Sequence, residues 1–101
     1  MKKIAVVGDE DFNLGFMLAG LTDLYNVKKD EDLRNFIREL LEKEDVGIVI
    51  IQHDLLKKLP PTLKKEVYES VEPTFVALGG SGDVEEMREK IRRAIGVDLW
   101  K

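Results

Sequence analysis

The fold of this chain is decided by a short apolar stretch near its start, KIAVVGD (residues 3–9). Its apolar residues form a continuous run that Gly8 closes, which is typical of a strand buried on both faces of a sheet. Two later stretches have the same character, VGIVII (46–51) and TFVAL (74–78), and also predict inner strands. A weaker and more polar candidate, DLYNV (23–27), suits the edge of a sheet.

Between these runs the apolar residues recur at the spacing of helices. This spacing predicts helices over residues 11–19 and 30–43, and a third over 60–70, which opens on two prolines suited to a first helical turn. A last helix begins at Asp83, where the D-x-x-E spacing of a capping box occurs, and runs to Gly96. Strand and helix therefore alternate along the chain.

This alternation predicts an α/β fold in which a four-stranded parallel sheet carries helices on both faces. We expect the strand order 2-1-3-4, because it puts the weak strand at an edge and the two most apolar strands in the centre. Such a sheet has a topological switch point between strands 1 and 3, where folds of this class bind ligands. We divide the chain into a globular domain (1–78), a glycine hinge (79–82) and a C-terminal helix and tail (83–101) able to detach from the domain.

Composition excludes several classes of function. The chain has 101 residues with no cysteine and one histidine, which excludes disulfide scaffolds, thiol nucleophiles and multi-histidine metal sites. It carries a net charge of −4 and no basic stripe, so nucleic acid is not an expected partner. No apolar run reaches the roughly 20 residues that span a bilayer, so we expect a soluble, intracellular protein without direct membrane insertion.

The loops after strands 1 and 3 place several polar residues at the predicted switch point. Carboxylates suit Mg²⁺, so one interpretation is a degenerate receiver-like signalling domain with Asp9, Asp11 and Asp54 around the metal. The pattern departs from that class, because Gln52 or His53 stands near the acceptor position and no fifth strand follows. Helix capping by Asp11 and solvation of the other carboxylates is the favoured interpretation.

Other motifs give no catalytic or cofactor assignment. The segment after strand 1 lacks the G-x-G-x-x-G spacing, and the P-loop spacing of residues 15–22 has Leu21 where a phosphate-binding lysine is required, so Gly20 is interpreted as a helix C-cap. His53 has no convincing nucleophile as a partner. The glycines before the last helix suit a hinge better than an anion cradle, because Asp83 opposes an anion there. We therefore predict no catalytic, cofactor-binding or metal-binding residue.

The last helix is predicted to bind a partner. Its apolar residues step by three, four and three from Val84 to Ala94, which makes a narrow seam like that of a coiled coil. Trp100 is the kind of aromatic residue that anchors interfaces. The predicted partner-binding residues are Val84, Met87, Arg88, Ile91, Arg92, Ile95, Leu99 and Trp100, and the predicted hinge consists of Gly79, Gly80, Ser81 and Gly82.

Two blocks near the start carry a resemblance to a known family. The first block is residues 3–11, which end in G-D-x-D, and the second is residues 15–20, which read G-F-x-L-A-G. Together they resemble the start of the F subunit of archaeal A-type and V-type rotary ATPases. Residues 45–51, 68–78 and 91–100 resemble later blocks of the same family, so the likeness spans nearly the whole chain. The pair Phe12-Asn13 departs from the Thr-Val-like pair expected there, which bears on local packing.

The resemblance implies a non-catalytic central-stalk subunit with a Rossmann-like domain and a mobile C-terminal helix. Its expected partners are the D subunit of the central stalk, a long helical hairpin, and, through the C-terminal helix, the A and B subunits of the catalytic head. The complex would couple ATP synthesis or hydrolysis to proton or sodium transport, with the helix modulating hydrolysis. The resemblance also implies a peripheral position in a membrane complex, at the cytoplasmic face of the cell membrane.

Overall fold

The structure is a computed structural model that describes residues 2–79 of the chain. The predicted last helix, three of the four predicted hinge residues and all predicted partner-binding residues lie outside the described part. The elements in chain order are β1 (Lys3–Gly8), α1 (Glu10–Leu18), β2 (Asp23–Asn26), α2 (Asp30–Glu42), β3 (Val46–Gln52), α3 (His53–Leu56), α4 (Pro61–Glu69) and β4 (Thr74–Leu78).

The four strands form one parallel sheet in the order β2-β1-β3-β4, which confirms the predicted order. Val6 in β1 lies between Leu24 of β2 and Ile50 of β3, and Ile50 is in turn opposite Val76 of β4. The strands of a parallel sheet need crossover connections, and here the helices supply them. The switch point therefore lies between the carboxyl ends of β1 and β3, as the sequence predicts.

The alternation of side chains along the central strands builds two cores, one on each face of the sheet. On one face Ala5, Val7, Val49 and Ile51 pack with the apolar residues of α2, α3 and α4, of which Leu33, Ile37, Leu40, Leu63 and Val67 are buried. On the other face Val6, Ile48, Ile50 and Val76 pack with Phe12 and Phe16 of α1. Helices on both faces are thus observed within the described residues.

Three local details differ from the sequence prediction. β4 was predicted as a strand buried on both faces, yet only Val76 of its residues is fully buried, because β4 pairs with β3 alone and forms an edge. The chain passes from β3 directly into the short helix α3, which was not predicted. Capping of α1 by Asp11 is also wrong: the helix begins one residue earlier, and Asp9 is its N-cap.

Candidate functional site at the switch point

Two polar side chains close the switch point by binding each other. Gln52, the last residue of β3, accepts a hydrogen bond from the backbone N–H of Asp9 through Oε1 (2.9 Å) and donates one from Nε2 to Asp9 Oδ2 (3.2 Å). Asp9 Oδ1 accepts the backbone N–H of Phe12 at 2.8 Å, which caps α1. Both oxygens of the Asp9 carboxylate are therefore engaged by donors of the protein itself.

Asn13 fastens the start of α1 to the first two strands. Its side chain is almost completely buried, and Nδ2 lies 3.2 Å from the carbonyl oxygen of Gly8, 2.9 Å from that of Tyr25 and 2.6 Å from Oδ1 of Asn26. These acceptors belong to the ends of β1 and β2, and Gly8 also accepts the backbone N–H of Val27 at 2.8 Å. A buried amide in this position gives the backbone carbonyl groups at the strand ends a further hydrogen-bond donor.

Two glycines near the Asp9–Gln52 pair leave no room for a side chain. A Cβ atom added to Gly8 would lie 2.9 Å from Phe12 Cγ and 3.0 Å from Asn13 Oδ1. At the end of β4, Gly79 has a φ of +155°, and a Cβ atom there would lie 3.1 Å from the backbone nitrogen of His53. A side chain at either glycine would therefore collide with Phe12 or approach the backbone of His53 closely.

The structure does not bring the predicted carboxylates together as a metal site. Asp9 is used for capping and for the contact with Gln52, while Asp11 lies exposed in the first turn of α1 and Asp54 lies exposed in α3. Within residues 2–79 there is no group of three or more histidine or carboxylate side chains placed to hold a metal ion. A receiver-like use of this edge with Mg²⁺ is therefore not favoured.

One of the predicted hinge residues, Gly79, lies in the described part. It is exposed, and it leaves β4 in a conformation that L-amino acids with a side chain rarely adopt. Its close approach to His53 makes glycine the residue that fits at this exit from the sheet.

Sequence reasoning missed Asn13 and the bridging role of Gln52. A polar residue between Phe12 and Phe16, on the face of α1 that packs on the sheet, is the signal that could have indicated a buried amide. For Gln52 no local signal exists, because its partner is 43 residues away in the sequence.

A second concave surface lies between α2 and α4. Its volume is about 580 Å³, and it is lined by Arg38, Leu41, Glu42, Glu66, Glu69 and Ser70. Mixed charges around one leucine do not converge on a reacting centre, and nothing in this groove assigns chemistry to it.

None of the helices in residues 2–79 has the length and apolar character needed to cross a membrane.

Comparison with known proteins places this architecture in one family. The family described as "ATP synthase (F/14-kDa) subunit" matches residues 4–95. The F subunit of the A-type ATP synthase of Archaeoglobus fulgidus is 61% identical over 101 residues, covering 100% of both chains. The F subunit of the A-type ATP synthase of Methanocella arvoryzae is 52% identical over 99 residues, covering 98% of this chain and 99% of that one.

A solved structure agrees with the sequence comparisons. The F subunit of the V-type ATP synthase of Archaeoglobus fulgidus superposes with a TM-score of 0.72 at 51% identity, covering 77% of this chain and 98% of that chain. A sequence identity of 51% over the sheet and its helices indicates membership of the same family, and not only the same fold. The chain therefore belongs to the F subunit family of the A-type and V-type ATP synthases.

Proposed function

We propose that this chain is a non-catalytic subunit of the central stalk of its ATP synthase, held by the D subunit through the globular domain. The observation that carries the proposal is the Asp9–Gln52 contact at the switch point of a chain whose whole length matches an F subunit. In this fold class the crevice at that edge is the usual ligand site. Here Asp9 and Gln52, the polar side chains at that edge, bind each other, which suits a domain that serves as a rigid body for protein contacts.

In this proposal residues 83–101 reach the A and B subunits of the catalytic head and modulate ATP hydrolysis, while residues 79–82 act as the hinge. The supporting features are the narrow apolar seam of Val84, Met87 and Ile91 and the aromatic residue Trp100. The stalk transmits torque between the head and the membrane sector, which couples ATP turnover to proton or sodium transport. The protein is peripheral and lies at the cytoplasmic face of the cell membrane.

Assembly is tested by mixing the full chain with the D subunit of its own complex and analysing the mixture by size-exclusion chromatography with light scattering. We expect a one-to-one complex. Two separate peaks with the masses of the single subunits would refute the stalk assignment.

The non-catalytic assignment is tested on the full chain alone with ATP and Mg²⁺. We expect neither hydrolysis nor a shift in melting temperature, because Asp9 and Gln52, the polar side chains at the ends of β1 and β3, are engaged with each other. Thermal stabilisation by ATP, or NMR shifts around Asp9 and Asp54 with Mg²⁺, would contradict it.

The role of the last segment is tested in the assembled head and stalk. Deletion of residues 83–101 is expected to leave the complex with the D subunit intact and to change the rate of ATP hydrolysis. A full-length chain with Met87→Ser and Ile91→Ser should reproduce that change, whereas the control Glu85→Gln with Glu89→Gln alters charges outside the seam and should not. Equal rates for the wild type and the deletion would remove the regulatory role.

A further inference from the structure

The outer surface of α1 is unusually apolar for a helix exposed to water. Among the described residues five large apolar side chains are exposed, and three of them lie on this nine-residue helix: Leu14 (46% exposed), Met17 (49%) and Leu18 (78%). The other two, Tyr68 and Val71, lie at the end of α4 and just after it. We call Leu14, Met17 and Leu18 the α1 outer face.

These three residues share one side of the helix. Residues three and four positions apart are neighbours on a helix surface, so Leu14 lies beside both Met17 and Leu18. Phe12 and Phe16 lie on the opposite side, with ring centroids 5.1 Å apart, and pack on the sheet. The inner side of α1 therefore packs on the core, whereas packing within the described residues does not explain why the outer face is apolar.

The charge around this face indicates the chemistry of its partner. From residue 4 to residue 27 the chain contains no lysine or arginine and four carboxylates, Asp9, Glu10, Asp11 and Asp23. Glu10 and Asp11 are exposed one turn before Leu14. The basic residues just before this stretch are paired elsewhere, Lys2 with Glu72 and Lys3 with Asp45. A complementary surface is apolar in its centre and basic at the end that meets Glu10 and Asp11.

The shape of the face indicates a helix as the occupant. A helix of nine residues is about 13 Å long, which matches two to three turns of a partner helix packed along it. Gly15 borders the outer face, and a Cβ atom there would meet no atom of residues 2–79 within 4 Å, so a partner backbone can come close to α1 at this point.

The end of this chain is a less suitable occupant than another subunit. The chain leaves the sheet at β4, which β3 separates from β1, whereas α1 packs on β1 and β2. α1 therefore lies over the half of the sheet that is farther from Leu78, the last residue of β4.

We propose that the α1 outer face is the surface through which the globular domain binds an amphipathic helix of another subunit, one with an apolar stripe and lysine or arginine residues opposite Glu10 and Asp11. This inference rests on the proposed function, in which the D subunit supplies the helices of the stalk. It adds which surface of the domain is bound and the side-chain chemistry that the partner must present.

The first test compares two matched double variants of the full chain in binding to the D subunit of its own complex. Leu14→Ser with Leu18→Ser removes the apolar residues of α1, and Tyr68→Ser with Val71→Ser removes exposed apolar residues elsewhere. We expect the first pair to weaken binding about tenfold or more and the second to leave it within about threefold. Circular dichroism verifies that each variant is folded.

Two failures of this test are distinguishable. If the wild type does not bind the D subunit, the proposed function itself fails. If the wild type binds and the α1 variant binds equally well, the stalk assignment stands and the α1 outer face is excluded as the surface. Charge provides an independent test. Glu10→Gln with Asp11→Asn should weaken binding at low salt and reduce its salt dependence. Unchanged binding at low salt would contradict a basic partner surface opposite Glu10 and Asp11.

The second test uses the absence of cysteine from the chain. In a full-length Leu18→Cys chain the introduced thiol is the one site for maleimide, and Val71→Cys is the matched control. We expect fast labelling of both in the chain alone, and protection of about tenfold or more by the D subunit at residue 18 only. Slow labelling at residue 18 in the chain alone would overturn the proposal, because residues 80–101 or a second copy of the chain would then cover the face. A labelling rate that falls as the protein concentration rises would identify the second copy.

Discussion

Asp9 and Gln52 exchange two hydrogen bonds across the carboxyl edge of the sheet, one from a backbone N–H and one from a side-chain amide. The residues are 43 positions apart and stand at the carboxyl ends of the two central strands, so the pair connects β1 to β3 at the point where related folds open a crevice. A site that many α/β domains use for a ligand is used here to hold the strand ends together.

Replacing Gln52 should weaken the contact between the ends of β1 and β3 by an amount that depends on the charge of the new side chain. Gln52→Ala removes both hydrogen bonds at an exposed position and is expected to lower the free energy of unfolding by about 0.5–1 kcal/mol. Gln52→Glu places a second carboxylate against Asp9 Oδ2, so we expect it to be the more destabilising change near neutral pH, by about 1–2 kcal/mol. Urea unfolding followed by circular dichroism measures this. Equal stability of the two variants near neutral pH would contradict the observed pairing.

Removing the cap of α1 distinguishes the observed N-cap from the one that the sequence predicts. Asp9→Ala leaves the backbone N–H of Phe12 without its partner and is expected to cost about 1 kcal/mol of stability, plus the lost bond to Gln52. Asp11→Ala, the matched control, removes an exposed carboxylate within the first turn and is expected to cost at most about 0.5 kcal/mol. Thermal or urea unfolding that ranks Asp11→Ala as the more harmful change would show that the helix begins where the sequence suggested.

The contrast between these two aspartates shows which parts of the structure are readable from sequence. The strand order and the positions of the four strands, α1, α2 and α4 were predictable, because uninterrupted apolar runs such as 46–51 and the amphipathic period of 30–43 are local signals. The predicted N-cap of α1 lies two residues after the observed one, because the three consecutive acidic residues 9–11 give the same capping signal. The Asp9–Gln52 bridge and the burial of Asn13 depend on contacts between distant segments, which no local pattern records.

Asn13 is expected to be the most sensitive polar residue of the domain. Asn13→Ala removes the donor that meets the carbonyl groups of Gly8 and Tyr25 in a buried position, so these acceptors lose a partner and a small cavity forms. We expect a loss of about 2–3 kcal/mol in the free energy of unfolding.

The exposed asparagine of α2 offers the control for that change. Asn35→Ala replaces the same residue type on a solvent-facing helix position and should be neutral or slightly stabilising, by up to about 0.5 kcal/mol. Hydrogen exchange adds a local readout, because loss of the Asn13 contacts should increase exchange at the end of β2 in particular. An Asn13→Ala chain as stable as Asn35→Ala would mean that the buried amide contributes nothing to the fold.

Two glycines around α1 should respond to alanine in opposite directions. Gly15 lies inside the helix, and a Cβ atom there meets nothing within 4 Å, so Gly15→Ala gains helix propensity without a clash and should raise the free energy of unfolding by about 0.5–1 kcal/mol. Gly8 ends β1 under the ring of Phe12, where a Cβ atom would lie 2.9 Å from Cγ and overlap Cδ2. Gly8→Ala must displace that ring from the core and is expected to cost about 1–3 kcal/mol. Parallel urea titrations of the two variants and the wild type measure both changes, and a Gly8→Ala chain that matches Gly15→Ala in stability would show that α1 does not press on the end of β1 as the structure has it.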